Sequence, residues 1–172
     1  MVDPVIKRNG IRVKQCHIPI HHYGRLNKED VNRKDEVYFE IGKKKLEDMG
    51  DDINAIRELA IQATNMEKNE EALKLWEKLL SLNLKPRSVS ETYINMGTIY
   101  NRMGNFRHAL EAAKKAVENA PDLKEARYNY AVAELHSGDL VNSIVLLKGL
   151  LLELPDYLPA QFILAAAYCC SG

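Results

Sequence analysis

Apolar residues recur at helical spacing along most of the chain after about residue 50. In the segment EKNEEALKLWEKLLSL they fall three or four positions apart, on one face of an α-helix. These positions are Leu73, Trp76, Leu79 and Leu80. Residues 32–48 also have a helical pattern, and their predicted buried stripe consists of Val37, Tyr38, Ile41 and Leu46.

The first thirty residues have a different pattern. IRVKQCHIPIHHYG, residues 11–24, opens with alternating apolar residues and ends on glycine, which predicts a strand. VDPVIKRNG before it has the pattern of a short helix ending at Asn9-Gly10. A lone strand cannot be stable without a partner, so residues 1–30 are interpreted as the remnant of a preceding domain.

A 34-residue register organises the rest of the chain. Three sets of residues recur at this interval: Gly104, Gly138 and Gly172; Gly97, Ala131 and Ala165; Pro121 and Pro155. Insertions would destroy such a register, so it indicates an internal repeat.

Residues 90–123 show what one unit contains. Gly104 lies in a short break, where a positive φ is useful. Ala109 opens the inner face of a second helix and Pro121 ends it, so the unit is helix, turn, helix, turn. This unit resembles the tetratricopeptide repeat, with Tyr93 in place of the usual Trp and Met96 in place of the Leu.

The resemblance implies an all-α fold, a right-handed superhelix of antiparallel helix pairs preceded by the short N-terminal strand. The predicted units are a capping helix at 31–52, a weaker repeat at 53–89, repeats at 90–123 and 124–157, and a partial repeat at 158–172. Glu67 stands where the break glycine of the first repeat would be, and the loop LNLKPRS is expected to hold three extra residues.

In this family the first helix of each pair lines a concave groove that binds a peptide or a partner protein. The family's groove positions fall here on Arg57, Ile61, Thr64, Asn65, Ile94, Thr98, Asn101, Arg102, Tyr128, Val132, Leu135 and His136. The alternative for the late apolar positions is that further repeats or a second copy cover them. Repeats that clamp an acidic chaperone tail need several converging donors, and Ile61 supplies none, so that specialised function is not expected.

The last segment, PAQFILAAAYCC, is apolar on nearly every side and should be buried. Either residues 158–172 mediate homo-oligomerisation or the natural chain continues beyond them. Cys169 and Cys170 are expected to be packed thiols rather than a redox pair. Adjacent helical residues point about 100° apart, which hinders a disulfide between them.

Before residue 45 the chain has a predicted short helix, then the NGIRV and IHHYG segments, then a Lys/Arg-rich helix. This order resembles the end of a family 2 glycosyltransferase of the GT-A fold. The matching residues are Asn9, Gly10, Ile11, Ile20, His22, Tyr23 and Gly24. The resemblance implies a preceding transferase domain that uses a nucleotide sugar with Mn²⁺ or Mg²⁺, and it makes His22 a candidate metal ligand there.

This chain contains no D-x-D pair to hold such a metal, so no catalysis or cofactor is expected of it. The alternatives are a free-standing adaptor, or a catalytic edge active only in the intact polypeptide. A zinc site from Cys16, His17, His21 and His22 lacks the paired ligand spacing of structural zinc sites.

Composition narrows the partners. Lys plus Arg and Asp plus Glu are 24 each, so the net charge of zero excludes non-specific nucleic-acid binding. Three cysteines fit a reducing compartment better than a disulfide framework. Neither a signal peptide nor an apolar run long enough for a bilayer is recognised, which predicts a cytoplasmic protein without membrane contact.

Overall fold

The computed structural model describes the backbone of residues 28–171 and the side chains of residues 33–48 and 50–169. The chain divides into two units, Met1–Arg33 and Lys34–Gly172, and the second holds the architecture described below. Of the first unit only the start of one helix is described. The predicted strand, His22 and the matching residues of the transferase resemblance therefore lie outside the described residues.

The described residues are α-helical, with short connections, and contain no strand. The helices are α1 (Lys28–Met49), α2 (Ile53–Asn65), α3 (Asn69–Leu80), α4 (Pro86–Arg102), α5 (Phe106–Asn119), α6 (Lys124–Ser137), α7 (Leu140–Glu153) and α8 (Leu158–Ser171). Helices α2 and α3, α4 and α5, and α6 and α7 pack as pairs, and each pair also packs on the next. The all-α fold predicted from the register is confirmed.

The apolar core lies between successive pairs as well as within them. One cluster joins α1, α2, α3 and α4 around Trp76, Ile56, Leu79 and Ile99. A second joins α4, α5 and α6 around Ala116, and a third joins α6, α7 and α8 around Leu147 and Leu150. No pair buries its apolar stripe alone, which is the physical reason for the repeated stack.

Small residues set the distance between the two helices of a pair. A Cβ added to Gly97 would lie 3.7 Å from the Ala109 carbonyl oxygen and 3.8 Å from the Ala112 Cβ. Its register partner Ala131 is fully buried, as is Ala60 in the first repeat. The periodic small residues seen in the sequence therefore mark the closest approach of paired helices.

The 34-residue register also marks the turns. Gly104 and Gly138 have φ of +72° and +93°, the left-handed conformation expected of the break glycines. Glu67 occupies the same place in the first repeat with φ of +59°, among the described residues the one non-glycine with positive φ. A side chain with a Cβ is strained in that conformation.

We expect Glu67→Gly to stabilise the first repeat by about 0.5–1 kcal/mol, because it removes this strain at an exposed position. Urea unfolding followed by circular dichroism at 222 nm measures the change. The matched control is Gly138→Ala, which introduces the same strain and should destabilise by about 1 kcal/mol. Equal stability of Glu67→Gly and the wild type would contradict the strain argument.

The predicted stripe of α1 is wrong in its main members. Val37, Tyr38 and Ile41 are 54%, 62% and 55% exposed, and the buried residue is Phe39. Phe39 faces α2 together with Gly42, where an added Cβ would lie 2.8 Å from Leu59 Cδ1, and with half-buried Leu46. Periodicity alone allowed both stripes, and the close approach at Gly42 selects this one.

Two smaller expectations also differ from the structure. The three residues expected in the loop after α3 lie instead in the first turn of α4, which begins at Pro86, a favoured residue there. Cys169 is exposed rather than packed, because among the described residues nothing covers that side of α8.

Candidate partner-binding surface

The surface to be tested consists of the twelve groove positions named from the sequence, on α2, α4 and α6. These first helices of the repeats are neighbours: α4 packs directly on α6. His136 Nδ1 lies 3.2 Å from Asn101 Oδ1, so two predicted residues from successive repeats meet. The stack thus joins positions that are 35 residues apart in the chain.

Arg102 connects the first two repeats. Its Nη1 donates a hydrogen bond of 2.9 Å to the Thr64 carbonyl oxygen and lies 3.5 Å from Asn69 Oδ1. The guanidinium is thereby a second donor to a carbonyl at the end of α2, which also accepts from the Glu67 backbone N–H at 3.2 Å. Arg102 is exposed, so it combines this structural contact with a surface position.

Thr64 does not belong to the surface. It is buried, and its hydroxyl donates to the Ala60 carbonyl oxygen at 2.7 Å. The Thr64 hydroxyl oxygen in turn accepts from Trp76 Nε1 at 3.1 Å. The hydroxyl anchors the single tryptophan of the chain to α2. Its expected place in the groove is therefore corrected to a place in the core.

The remaining groove positions divide by exposure. Ile61, Asn65, Thr98, Arg102 and His136 are exposed, whereas Arg57, Ile94, Asn101, Tyr128, Val132 and Leu135 are half-buried. The Thr98 hydroxyl donates to the Ile94 carbonyl oxygen at 3.0 Å, as threonines often do within helices. The most accessible part of the surface is consequently polar and lies toward the C-terminal ends of α2, α4 and α6.

The apolar part of the surface is partly covered by the turn between α7 and α8. The ring of Tyr128 meets the ring of Tyr157 edge to face, with centroids 5.7 Å apart. Burial raises the pKa of both phenols, which keeps them neutral. Tyr128 is thus half-buried by a residue of its own repeat, and cover of the late apolar positions by further repeats or a second copy stays a prediction.

Two apolar residues next to this surface were not predicted. Phe106, the first residue of α5, stacks obliquely on His136 with ring centroids 5.4 Å apart. Met103, in the turn after α4, is about half exposed. Helical periodicity misses both because they lie at a turn, where no face can be assigned.

Ile94 also borders a cleft of about 300 Å³ between α4 and the beginning of α6. Its lining is of mixed charge and consists of Arg87, Glu91, Ile94, Asn95, Leu123 and Glu125. Such a small, open site fits a partner's side chain better than a buried ligand.

Nearby, Arg127 forms two hydrogen bonds with the Glu153 carboxylate, at 2.7 and 2.8 Å. These bonds lower the pKa of Glu153. They tie the start of α6 to the end of α7 and leave Arg127 little freedom to bind a partner.

Neither a metal-ligand cluster nor a membrane-spanning helix occurs within residues 28–171. No group of three or more His, Cys, Asp or Glu side chains there is placed to hold a metal ion. No helix in the same region is long and apolar enough to cross a bilayer.

The end of the stack exposes apolar side chains. On α8, which its apolar sequence predicted to be buried, Leu158 and Phe162 are 72% and 74% exposed, because among the described residues no helix follows to cover them. Self-association through residues 158–172 stays a prediction.

Comparisons with known proteins agree with this geometry. A sequence model of the tetratricopeptide repeat family matches residues 51–122. No curated protein sequence matches the chain.

Solved structures extend the likeness beyond the matched residues. A crystal structure of MamA covers 90% of this chain and 87% of its own, with a TM-score of 0.70 and 16% identity. The match to a tetratricopeptide repeat protein from Parabacteroides merdae covers 78% of this chain and 52% of that protein, with a TM-score of 0.69 and 22% identity. The match to a chain of the APC/C hetero-tetramer Cut9-Hcn1 covers 74% of this chain and 26% of that chain, with a TM-score of 0.67 and 19% identity.

At these identities the structures show a common fold and no common function. By sequence, residues 51–122 match the tetratricopeptide repeat family, and the described part of the chain has the superhelical tetratricopeptide-repeat fold.

Proposed function

We propose that the chain is a non-catalytic interaction module whose groove positions bind a peptide or a protein partner. A tetratricopeptide-repeat fold is consistent with a scaffold for protein–protein interaction. The observation that carries the proposal is that Asn65, Thr98 and His136 stay exposed on three neighbouring helices whose opposite faces are buried in the core.

The chemistry of these side chains defines the partner. Asn65, Asn101 and His136 offer hydrogen-bond donors and acceptors, and the Arg102 guanidinium offers donors alone. Exposed Ile61, together with Phe106 beside His136, adds apolar anchors. A peptide with one or two aromatic or aliphatic anchors and free polar groups between them fits this surface.

Panning a random 12-residue phage-displayed peptide library on the chain tests the proposal. Peptides enriched on the wild type are expected to lose at least tenfold in affinity when Thr98→Arg or His136→Glu is introduced, because the first places a larger side chain and the second a carboxylate on the surface. Fluorescence anisotropy with labelled peptides measures the affinity.

Glu118→Ala, on the exposed side of α5, is the control and should leave binding unchanged. Enriched peptides that bind wild type and both surface variants equally would contradict binding at the groove positions.

A second proposal concerns the wider polypeptide. The residues Asn9, Gly10, Ile11, Ile20, His22, Tyr23 and Gly24 support a module that accompanies a family 2 glycosyltransferase. The natural open reading frame decides this: a D-x-D-bearing segment before residue 1 supports it, and a frame that starts at Met1 contradicts it. Hydrolysis of a UDP-sugar by this chain alone, with Mn²⁺, would contradict its non-catalytic assignment.

A further inference from the structure

The outer side of α7 carries an unusual line of apolar residues. Val141, Val145 and Leu152 are 74%, 61% and 87% exposed, and Lys148 completes the line. The spacing of four, three and four residues is that of the a and d positions in a helix that pairs with another helix. These four residues are called the α7 seam below.

The preceding repeats show that the fold does not require an apolar seam. Exactly one repeat earlier, at the same places on α5, the chain has Arg107, Glu111, Lys114 and Glu118. The corresponding places on α3, 37 residues earlier still, hold Glu70, Lys74, Glu77 and Ser81. All eight of these side chains are exposed and hydrophilic, as a solvated face should be. Ser81 lies just past the end of α3. The third repeat alone replaces three of the four by valine or leucine.

Gly149 beside the seam is a second, independent sign. Its counterparts in the earlier repeats are Lys115 and Lys78. A Cβ added at Gly149 would meet nothing within 4 Å, whereas at Gly42 and Gly97 it would meet neighbouring helices. Glycine weakens the middle of a helix, and no neighbour among the described residues requires it at position 149. A glycine at such a place allows a helix from outside to approach closely.

We propose that the α7 seam is the contact surface of a homodimer in which the α7 helices of two copies pack antiparallel. A two-fold axis at the middle of the seam sets Val141 against the second copy's Leu152, and Val145 against the second copy's Lys148. The seam is therefore complementary to itself, as a two-fold interface requires.

Charge favours a second copy over other occupants. Between residues 140 and 169 the charged residues are Lys148, Glu153 and Asp156, and Glu153 is paired with Arg127. In the antiparallel arrangement the two Lys148 side chains do not oppose each other, and each can lay its aliphatic stem on a valine while its ammonium stays 5.4 Å from the centre of the Tyr168 ring on its own α8. An anionic membrane would require a basic face, which this region lacks. The antiparallel helix dipoles also attract each other.

The proposed dimer is independent of the groove positions and can fail or hold without them. It also differs from association through Leu158 and Phe162 of α8, although the seam borders α8 where the Lys148 ammonium lies 5.4 Å from the centre of the Tyr168 ring. A pair of 14-residue helices is a small interface, so the dimer is expected to form at micromolar rather than nanomolar concentrations.

Sedimentation velocity of the full chain from 5 to 500 µM tests the inference. The wild type is expected to shift from the mass of one 19.6 kDa chain toward twice that mass. The triple variant Val141→Arg, Val145→Glu, Leu152→Glu copies the outer face of α5, including its Arg107–Glu111 pair, and should stay monomeric throughout. Because α5 already carries these residues, the circular dichroism and thermal midpoint of the triple variant should match those of the wild type.

Gly149→Lys separates the interface from the fold. It copies Lys115, so it should raise the thermal midpoint while weakening association at least tenfold. Two controls, Ile41→Glu on α1 and Phe162→Glu on α8, change equally exposed apolar residues and should leave association unaltered.

A wild type that remains monomeric at 500 µM would overturn the inference. So would association that survives the triple variant, or that disappears with Phe162→Glu, which would place the contact on α8. Loss of peptide binding in a groove variant would not bear on it.

Discussion

Replacing Trp76 by alanine is expected to destabilise the chain by about 4 kcal/mol, the usual cost of removing a large buried aromatic side chain. Trp76 is 1% exposed and is the largest side chain in the cluster that joins α1, α2, α3 and α4. Its Nε1–H donates to the Thr64 hydroxyl at 3.1 Å, so the substitution removes both the packing and the hydrogen bond between α3 and α2.

Urea unfolding followed at 222 nm is the suitable measurement, because the variant loses the only tryptophan and with it the intrinsic fluorescence signal. Trp76→Phe serves as the matched control. It keeps most of the buried ring and should cost clearly less than alanine. Thr64→Val isolates the hydrogen bond and should cost about 1–3 kcal/mol, because the indole N–H is then buried without a partner. If Trp76→Ala cost no more than Thr64→Val, the assignment of this core would be refuted.

Replacing Phe39 by alanine is expected to release α1 from the repeats, with a loss of about 3–4 kcal/mol from the docking of that helix. Phe39 is fully buried, whereas the other large apolar residues nearby on α1 are more than half exposed. The ammonium groups of Lys43 and Lys68 lie 5.1 and 4.7 Å from the centre of its ring, which adds cation–π attraction. The contacts that remain are half-buried Leu46, the Lys68–Glu36 ion pair at 2.8 Å and the hydrogen bond from Gln62 Nε2 to the Asp35 carbonyl oxygen, and together they bury less apolar surface than the ring.

Hydrogen–deuterium exchange measured by mass spectrometry resolves this local effect. Peptides from residues 34–48 should lose protection in Phe39→Ala, while those from α4 to α7 should keep theirs. Tyr38→Ala is the control at the neighbouring position, where the side chain is 62% exposed, and it should change little. Similar exchange in both variants would return the docking role to the stripe predicted from periodicity.

The repeat was predictable from the sequence because it depends on spacing. Glycines 34 residues apart could be assigned to turns, and the small residues at positions 97 and 131 to close helix contacts, without knowledge of any neighbour. Local backbone conformation and helical period determine both features. Glu67 could likewise be placed in the break of the first repeat, although its positive φ became visible only in the structure.

The candidate surface was less predictable because exposure depends on what the rest of the stack covers. The resemblance to the repeat family placed Thr64 in the groove, but the hydroxyl turns into the core to meet Trp76. Phe106 and Met103 were missed because residues at a turn have no helical face.

By itself, the sequence determined that this protein is a stack of paired helices in a 34-residue register, because hydrophobic period, glycine and proline act locally. Only the tertiary structure decided that Phe39 rather than Val37, Tyr38 and Ile41 anchors α1, that Asn101 meets His136, and that the apolar side of α7 faces outward. Each of these depends on how close helices distant in sequence approach one another, and no local pattern contains that distance.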